Sequence, residues 1–348
     1  MKATLFRILC ALVVMGAAAL GTAQEVTQIR WATSAVGSAG HAAKVNLMAV
    51  LNREMPDYNI TVLPTPGAIA TIRGYALEEF DGYYGADIAF FELAQDAGRF
   101  EGFQAEMIRE PVQSFWAFTM ETGLAIHARD VDRFTEWRDL SGERVFTGPL
   151  PWDVRANLER AMATVGVEHE YVELDLGVVG SALEGGDISG FISYSTGMAN
   201  VAPWITEVEL VTDVAVLNPS EEERGILSEA GLEAVRVDPG VFETDVHVED
   251  IYSVPFFYGF HVGLEIPEDD VYRMLTIIEE HAEELMQAEP GFTQVAEDMA
   301  ELQRRGVAAS IDNVEVHPGL ARYMQERGVW DEAWNDRIAT VGEEVATR

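Results

Sequence analysis

Ile29-Arg30-Trp31-Ala32-Thr33 is a short apolar run that breaks into Ala35-Val36-Gly37-Ser38-Ala39-Gly40-His41, a glycine-rich loop. The loop opens an amphipathic segment, Ala42 to Met55, with Val45, Met48, Ala49 and Leu51 on one face at helical spacing, and Pro56-Asp57 stops it. The device then repeats as strand Ile60-Thr61-Val62-Leu63, turn Pro64-Thr65-Pro66-Gly67-Ala68-Ile69 and a helix to Leu77. Two such units side by side place free backbone N–H groups and helix N-termini on one sheet edge, which suits a carboxylate or other anion.

Outward from this pair the alternation continues. Ala86 to Phe91 reads as a third buried strand ending at Glu92, and Val112 to His127 as a long β stretch that carries the chain into a second lobe. There the pattern restarts with strand Val145–Thr147, loop Gly148–Trp152 and helix Asp153–Val165. Strand Tyr171–Leu174, helix Val178–Leu183 and strand Ile188–Tyr194 follow. Ser195-Thr196-Gly197 reads as a turn into a helix, and Val208–Val211 and Val214–Leu217 as strands. Tyr252 to Leu264 is β-like again. Helices are expected over Val271–Ala288, Thr293–Arg305, Pro318–Arg327 and Asp331–Val345. The class is α/β, with mostly parallel sheets flanked by helices.

Residues 1–23 have the parts of a secretory signal: Lys2 and Arg7, an apolar Ile8 to Leu20, and small residues Gly21-Thr22-Ala23 at the cleavage positions. Cleavage after Ala23 removes Cys10, the single cysteine, and with it disulfide, thiol and thiolate-metal chemistry. The rest of the chain is long enough for about two domains, and 48% of the residues are apolar. Lys plus Arg is 23 against 59 Asp plus Glu, a net charge of −36, and only Lys2 and Lys44 are lysines. Such a surface repels nucleic acid and anionic lipid. It fits either a high-salt habitat or an acidic exported protein from an arginine-favouring genome. An anionic ligand must then find local positive potential in its site.

Glycine spacing excludes dinucleotide and nucleoside-triphosphate loops: neither G-x-G-x-x-G nor G-K-[ST] occurs. The seven histidines show no metal-ligand spacing, there is no G-x-S-x-G elbow, and no catalytic set emerges. The first loop is an anion cradle or a structural turn; the Thr65 turn beside it favours the cradle. In the second lobe, Trp152, Asp153 and Arg155 follow one strand, and Ser193-Tyr194-Ser195-Thr196 ends another. Arg155 either grips a carboxylate bidentately or pairs with Glu159 along its helix. Trp152 either caps a ligand or packs in the core. The expected ligand-binding set is Gly37, Ser38, Ala39, His41, Thr65, Gly67, Ala68, Glu92, Trp152, Arg155, Ser193, Tyr194 and Ser195, with no metal and no cofactor.

The chain resembles the TAXI family, the exported solute receptors of tripartite ATP-independent periplasmic (TRAP) transporters. The resemblance rests on Trp31-Ala32-Thr33 with Gly37-Ser38-Ala39-Gly40, on Thr65-Pro66-Gly67-Ala68-Ile69, on Ala86-Asp87-Ile88-Ala89-Phe90 and on Asp139 to Val145. Pro267 to Leu275 and Val316-His317-Pro318-Gly319 through Gly328 complete it. It implies a two-lobed type II periplasmic binding fold, with residues 24–118 and 251–348 as lobe 1 and 119–250 as lobe 2. It implies a non-enzymatic, periplasmic, monomeric receptor that passes a small organic acid or amino acid to TRAP permease subunits. Sensing for a membrane receptor, or an exported enzyme on the same fold, are the competing readings. Two loops depart from the family pattern. Gly148-Pro149-Leu150-Pro151-Trp152-Asp153-Val154 replaces a Gly-x-Pro-Gly-Ser-Gly-Thr loop, and Pro66 and Ala68 stand where Gly and Ser are usual. Both make the cleft more apolar, so a mono-acid or a more hydrophobic acid is expected rather than glutamate.

Overall fold

The repeated strand–loop–helix unit forms in the computed structural model, which describes residues 26–340. The signal segment 1–23, the chain beyond Ala23 as far as residue 25, and residues 341–348 lie outside the described residues. Strand β1 (Thr27–Thr33) runs parallel to β2 (Tyr58–Pro64) in a register that sets Ile29 opposite Ile60. Helix α1 (Ala39–Glu54) connects them, and α2 (Ala68–Ala76) leads on to β3 (Gly82–Ala86), which is parallel to β1. Ser38 caps α1: its hydroxyl accepts the His41 N–H at 3.2 Å, after Gly37 has turned the chain at φ +88°.

The third strand is displaced from its expected place. Gly82–Ala86 is the strand, and Asp87–Ala94 is helix α3. A buried apolar run has no periodicity to separate strand from helix. The glycines hold the answer: a Cβ on Gly82 would lie 2.6 Å from the Trp31 ring, and one on Gly85 2.7 Å from Phe90. Only glycine fits at those two positions of the strand.

Two twelve-residue antiparallel strands, β4 (Trp116–His127) and β11 (Ile251–Val262), join the two halves. The second half repeats the parallel motif with β5 (Arg144–Phe146), α4 (Asp153–Thr164), β6 (Glu170–Tyr171), α5 (Val179–Gly185) and β7 (Gly190–Thr196). The sheet order is β2-β1-β3-β11-β4-β7-β5-β6. It is parallel within β2-β1-β3 and β7-β5-β6 and antiparallel where β4 and β11 lie between them. The fold is thus two-lobed α/β with a mixed sheet. All twelve residues of β4 are buried, as befits a strand covered on both faces.

Other expectations shift for local reasons. Ser195 and Thr196 stay in β7; Gly197 (φ +61°) and Met198 (φ +56°) turn the chain into β8 (Asn200–Val201), a hairpin and not a helix start. Of the expected strand Val208–Val211, Val208 and Glu209 end α6 (Pro203–Glu209), begun by Pro203 in its first turn, and Leu210 and Val211 form the turn after it. Strand β9 (Val214–Leu217) pairs with β4; α7 (Glu221–Glu229), started by a Ser220–Glu223 capping box, and β10 (Val235–Val237) follow. The helix expected over Val271–Ala288 breaks at His281 into α8 (Glu268–Glu280) and α9 (Ala282–Ala288). Next come α10 (Thr293–Ser310) and α11 (Pro318–Glu326). His317 caps α11, accepting the Gly319 N–H at 3.1 Å. The expected last helix is a 3-10 stretch, Glu332–Arg337, after which Ile338 bridges to Val316.

Candidate ligand-binding site

The loop after β1 and the N-terminus of α1 face the start of α4 across a buried cavity of about 30 Å3. Ser34, Ser38, Ala39, Gly40, Tyr84 and Tyr258 line it from one side, and Trp152, Asp153, Val154 and Tyr194 from the other, with Met120 of β4 between them. That volume holds one or two water molecules, so admitting an organic molecule requires the walls to separate.

The first wall is built around α1. Its opening N–H groups have no intrahelical acceptor, as in any helix, and Ala39 and Gly40 sit at the cavity surface. Ser34 and Ser38 share a 2.6 Å hydrogen bond. A Cβ on Gly40 would fall 2.3 Å from the Tyr258 hydroxyl and 2.9 Å from Ser34 Oγ, so glycine here admits the tyrosine to the helix start. Tyr258 is 3% exposed, and its hydroxyl has no well-formed hydrogen bond. Its ring lies between those of Tyr84 (5.0 Å) and Phe118 (5.4 Å), both stacked. Burial raises the Tyr84 and Tyr258 hydroxyls well above their ordinary pKa, so both keep their protons.

An ion-pair chain crosses between the walls. Arg99, on a single 3-10 turn (Gly98–Phe100), donates from Nε to Glu92 Oε2 at 2.6 Å and from Nη1 to Asp153 Oδ1 at 2.7 Å. The Asp153 side chain is 2% exposed, and its Oδ2 has no partner; nor has Arg99 Nη2. Burial raises the pKa of Asp153 and of Glu92, and Arg99 only partly offsets the rise. Trp152 Nε1 donates to Pro66 O at 3.1 Å, and Gly67 abuts Pro151, where a Cβ would meet the Pro151 carbonyl oxygen at 2.7 Å. The two loops that depart from the family pattern therefore touch one another.

Of the expected residues, Ser38, Ala39, Trp152 and Tyr194 line the cavity. Gly37 shapes the loop; His41 lies in the first turn of α1, with burial lowering its pKa. Thr65 ties two strand ends together, its N–H and hydroxyl both donating to Thr33 O at 2.8 Å. Gly67 meets Pro151, and Ala68 begins α2. Glu92 lies on α3, not at a strand end, and reaches the cavity only through Arg99. Arg155 does not line the cavity. It pairs with Glu159 at 3.2 Å and lies over the Tyr171 ring at 4.2 Å, the helix-surface alternative. Ser193 is within β7, and the Ser195 hydroxyl donates to buried Glu121. The sequence reading missed Ser34, Tyr84, Met120, Tyr258 and Arg99; Gly40, Asp153 and Val154 it noted only as members of the two loops. A wider depression of about 560 Å3, lined by His127, Arg129, Glu184 and residues 209–213, is open, and its His127–Glu184–Thr212 groups bond each other. Among the described residues, no group of three or more His, Cys, Asp or Glu is placed to hold a metal ion.

A profile of the NMT1-like family matches residues 31–328. A search of curated protein sequences returns no match. Among solved structures, the periplasmic aliphatic sulphonate binding protein SsuA from Escherichia coli is 13% identical, with a TM-score of 0.40 over 92% of this chain and 88% of that one. A putative L-cystine ABC transporter from Listeria monocytogenes is 11% identical, with a TM-score of 0.43 over 79% and 96%. A structure described as a periplasmic transporter is 14% identical, with a TM-score of 0.48 over 84% and 96%. The chain belongs to the NMT1-like family.

Proposed function

We propose that this NMT1-like protein is an exported solute-binding receptor, which captures a small organic acid between its lobes and delivers it to a membrane permease. The observation that carries this reading is the cavity itself. Two strand–loop–helix units from different halves of the chain converge on it, and two residues that line it bury polar atoms without a well-formed hydrogen bond, Tyr258 at Oη and Asp153 at Oδ2. Native proteins rarely bury such atoms unsatisfied. The acid end of a ligand would sit at the α1 N-terminus, among Ser34, Ser38 and Tyr258, where backbone N–H groups supply the local positive potential that the acidic surface lacks.

Lobe 1 would comprise residues 24–118 and 251–348 and lobe 2 residues 119–250, hinged where β4 and β11 cross. The Trp152–Pro66 hydrogen bond and the Arg99–Asp153 pair would latch the closed form. The TAXI resemblance supports a TRAP-type permease as partner, and the segment 1–23 supports export to the periplasm. Among the described residues no helix is long and apolar enough to cross a membrane.

The test is a thermal-shift screen of mono- and dicarboxylates and amino acids against the processed protein, at low and high salt. A ligand at about a hundred times its Kd adds roughly 2.7 kcal/mol of stability, a clear shift in Tm. No shift from any compound at either salt would count against a receptor.

A further inference from the structure

The wall opposite α1 carries information that an acid alone does not use. Asp153 lines the cavity, its side chain is buried and its Oδ2 has no hydrogen-bond partner. Among the described residues, no Arg, Lys or His side chain lines the cavity with it. Asp153 and Glu92 share Arg99, while Asp87 and Arg160 stand close behind them. Three carboxylates share two guanidinium groups here, and of the three only Asp153 lines the cavity.

A second carboxylate on the ligand would therefore meet the Asp153 carboxylate and no cation in the lining. A protonated amine would meet an unused carboxylate oxygen in a water-excluded site, where a charge-assisted hydrogen bond is strongest. The rest of the lining is Tyr84, Tyr194, Trp152, Met120 and Val154. These surfaces take an apolar body, and the aromatic faces also attract a cation.

We infer that the ligand is a zwitterion, an α-amino acid with an apolar side chain, and that Asp153 selects it by binding its ammonium group. This rests on the receptor reading, with the ligand carboxylate at α1. It adds the nitrogen and excludes a second acid group. Asp153 lies in the stretch, Gly148 to Val154, where this chain departs from the pattern of the family it resembles, so the selectivity belongs to this chain.

Calorimetric titration of the processed protein with two matched triads tests it. One is L-leucine, 4-methylpentanoate and 3-methylbutylamine; the other is L-phenylalanine, 3-phenylpropanoate and 2-phenylethylamine. L-Glutamate serves as the diacid probe. In at least one triad the amino acid is expected to bind a hundredfold or more tighter than either partner lacking a charged group, and tighter than glutamate. Asp153→Asn is expected to weaken the amino acid at least tenfold more than it weakens the deaminated acid. That ratio separates ammonium recognition from the loss of the Arg99 latch, which would weaken all ligands together. The inference is overturned if the deaminated acid, the amine or glutamate matches the amino acid, or if Asp153→Asn weakens every ligand equally; the receptor reading survives those results. If neither these probes nor the wider acid screen binds, the receptor reading fails and the inference with it.

Discussion

Glu121 makes the stability of this protein depend on pH in a direction opposite to that of most carboxylates. It lies on β4, opposite Pro255 of β11 and Ser195 of β7, and is 0% exposed. Its carboxylate accepts hydrogen bonds from the Thr119 and Ser195 hydroxyls and, at 3.1 Å, from the Met198 N–H, but no arginine pairs with it among the described residues. Burial outweighs those bonds and pushes its pKa up to about 7. In the unfolded chain the same group titrates near 4.3. Between those values the fold holds a proton that the unfolded chain releases, so stability falls as pH rises. At about 1.36 kcal/mol per unit of pKa, the loss between pH 5 and pH 8 is roughly 2–3 kcal/mol. Glu121→Gln keeps the shape and removes the titration; its amide can donate to Thr119 Oγ, which already accepts from Gln294 at 2.7 Å. Urea unfolding of both proteins at pH 5 and pH 8, at fixed ionic strength, reads the difference. The variant is expected to match the wild type at pH 5 and to exceed it by about 2 kcal/mol at pH 8. An identical pH dependence in both proteins would refute the reasoning.

Three further outcomes are expected. Lys44 is 0% exposed, has no hydrogen-bond partner and lies 3.9 Å from the Trp31 ring centroid and 4.1 Å from that of Phe260. Burial pulls its pKa well below the ordinary value, so the unfolded chain holds the proton more tightly than the fold does. Lys44→Met should raise stability at pH 7 by about 1–3 kcal/mol, a gain that shrinks toward pH 10; a lower Tm at pH 7 would contradict it. Gly67→Ala forces a Cβ against Pro151 and should hold the lobes apart at a cost of about 1–3 kcal/mol to closure. Weaker ligand binding with a larger radius of gyration by small-angle scattering is the expected signature, and unchanged values of both would count against closure by these loops. Arg155→Ala removes a partly exposed pair with Glu159, so ligand affinity should stay within about twofold; a tenfold loss would return Arg155 to the site.

The strand–loop–helix pair at Ile29 and Ile60 was legible because each of its signals is local. Apolar runs, a serine before the helix and Pro56 after it lie within a few residues of what they control. The third strand was not legible, because the choice between Gly82–Ala86 and Ala86–Phe91 depends on Trp31 and Phe90 needing glycine beside them. Those contacts bring together residues far apart in sequence. The hairpin at Gly197-Met198 was missed because a non-glycine residue takes positive φ at position 198, which composition does not announce. The strand expected at Val208 failed where a proline at 203 began a helix whose buried residues then looked β-like.

The site was half legible for a similar reason. Loops that end strands can be found from sequence, and these supplied Ser38, Ala39, Trp152 and Tyr194. Arg99 could not be, since it lies on one turn of 3-10 helix and matters only through Glu92 and Asp153, brought to it by folding. The ligand's charge was harder still. Reading the glycine loop as an anion cradle addressed one end of the ligand, while the net charge of −36 argued against bringing in an anion at all. A zwitterion removes that conflict. It carries no net charge into the acidic field, its carboxylate meets the α1 N–H groups, and its ammonium meets Asp153, the carboxylate of the Glu92–Arg99–Asp153 chain that lines the cavity. Long-range repulsion is screened within about 8 Å at physiological salt, so the selectivity must come from Asp153 at contact distance. It should therefore hardly change between 0.1 M and 1 M salt, whereas selectivity set by the surface charge would change with it.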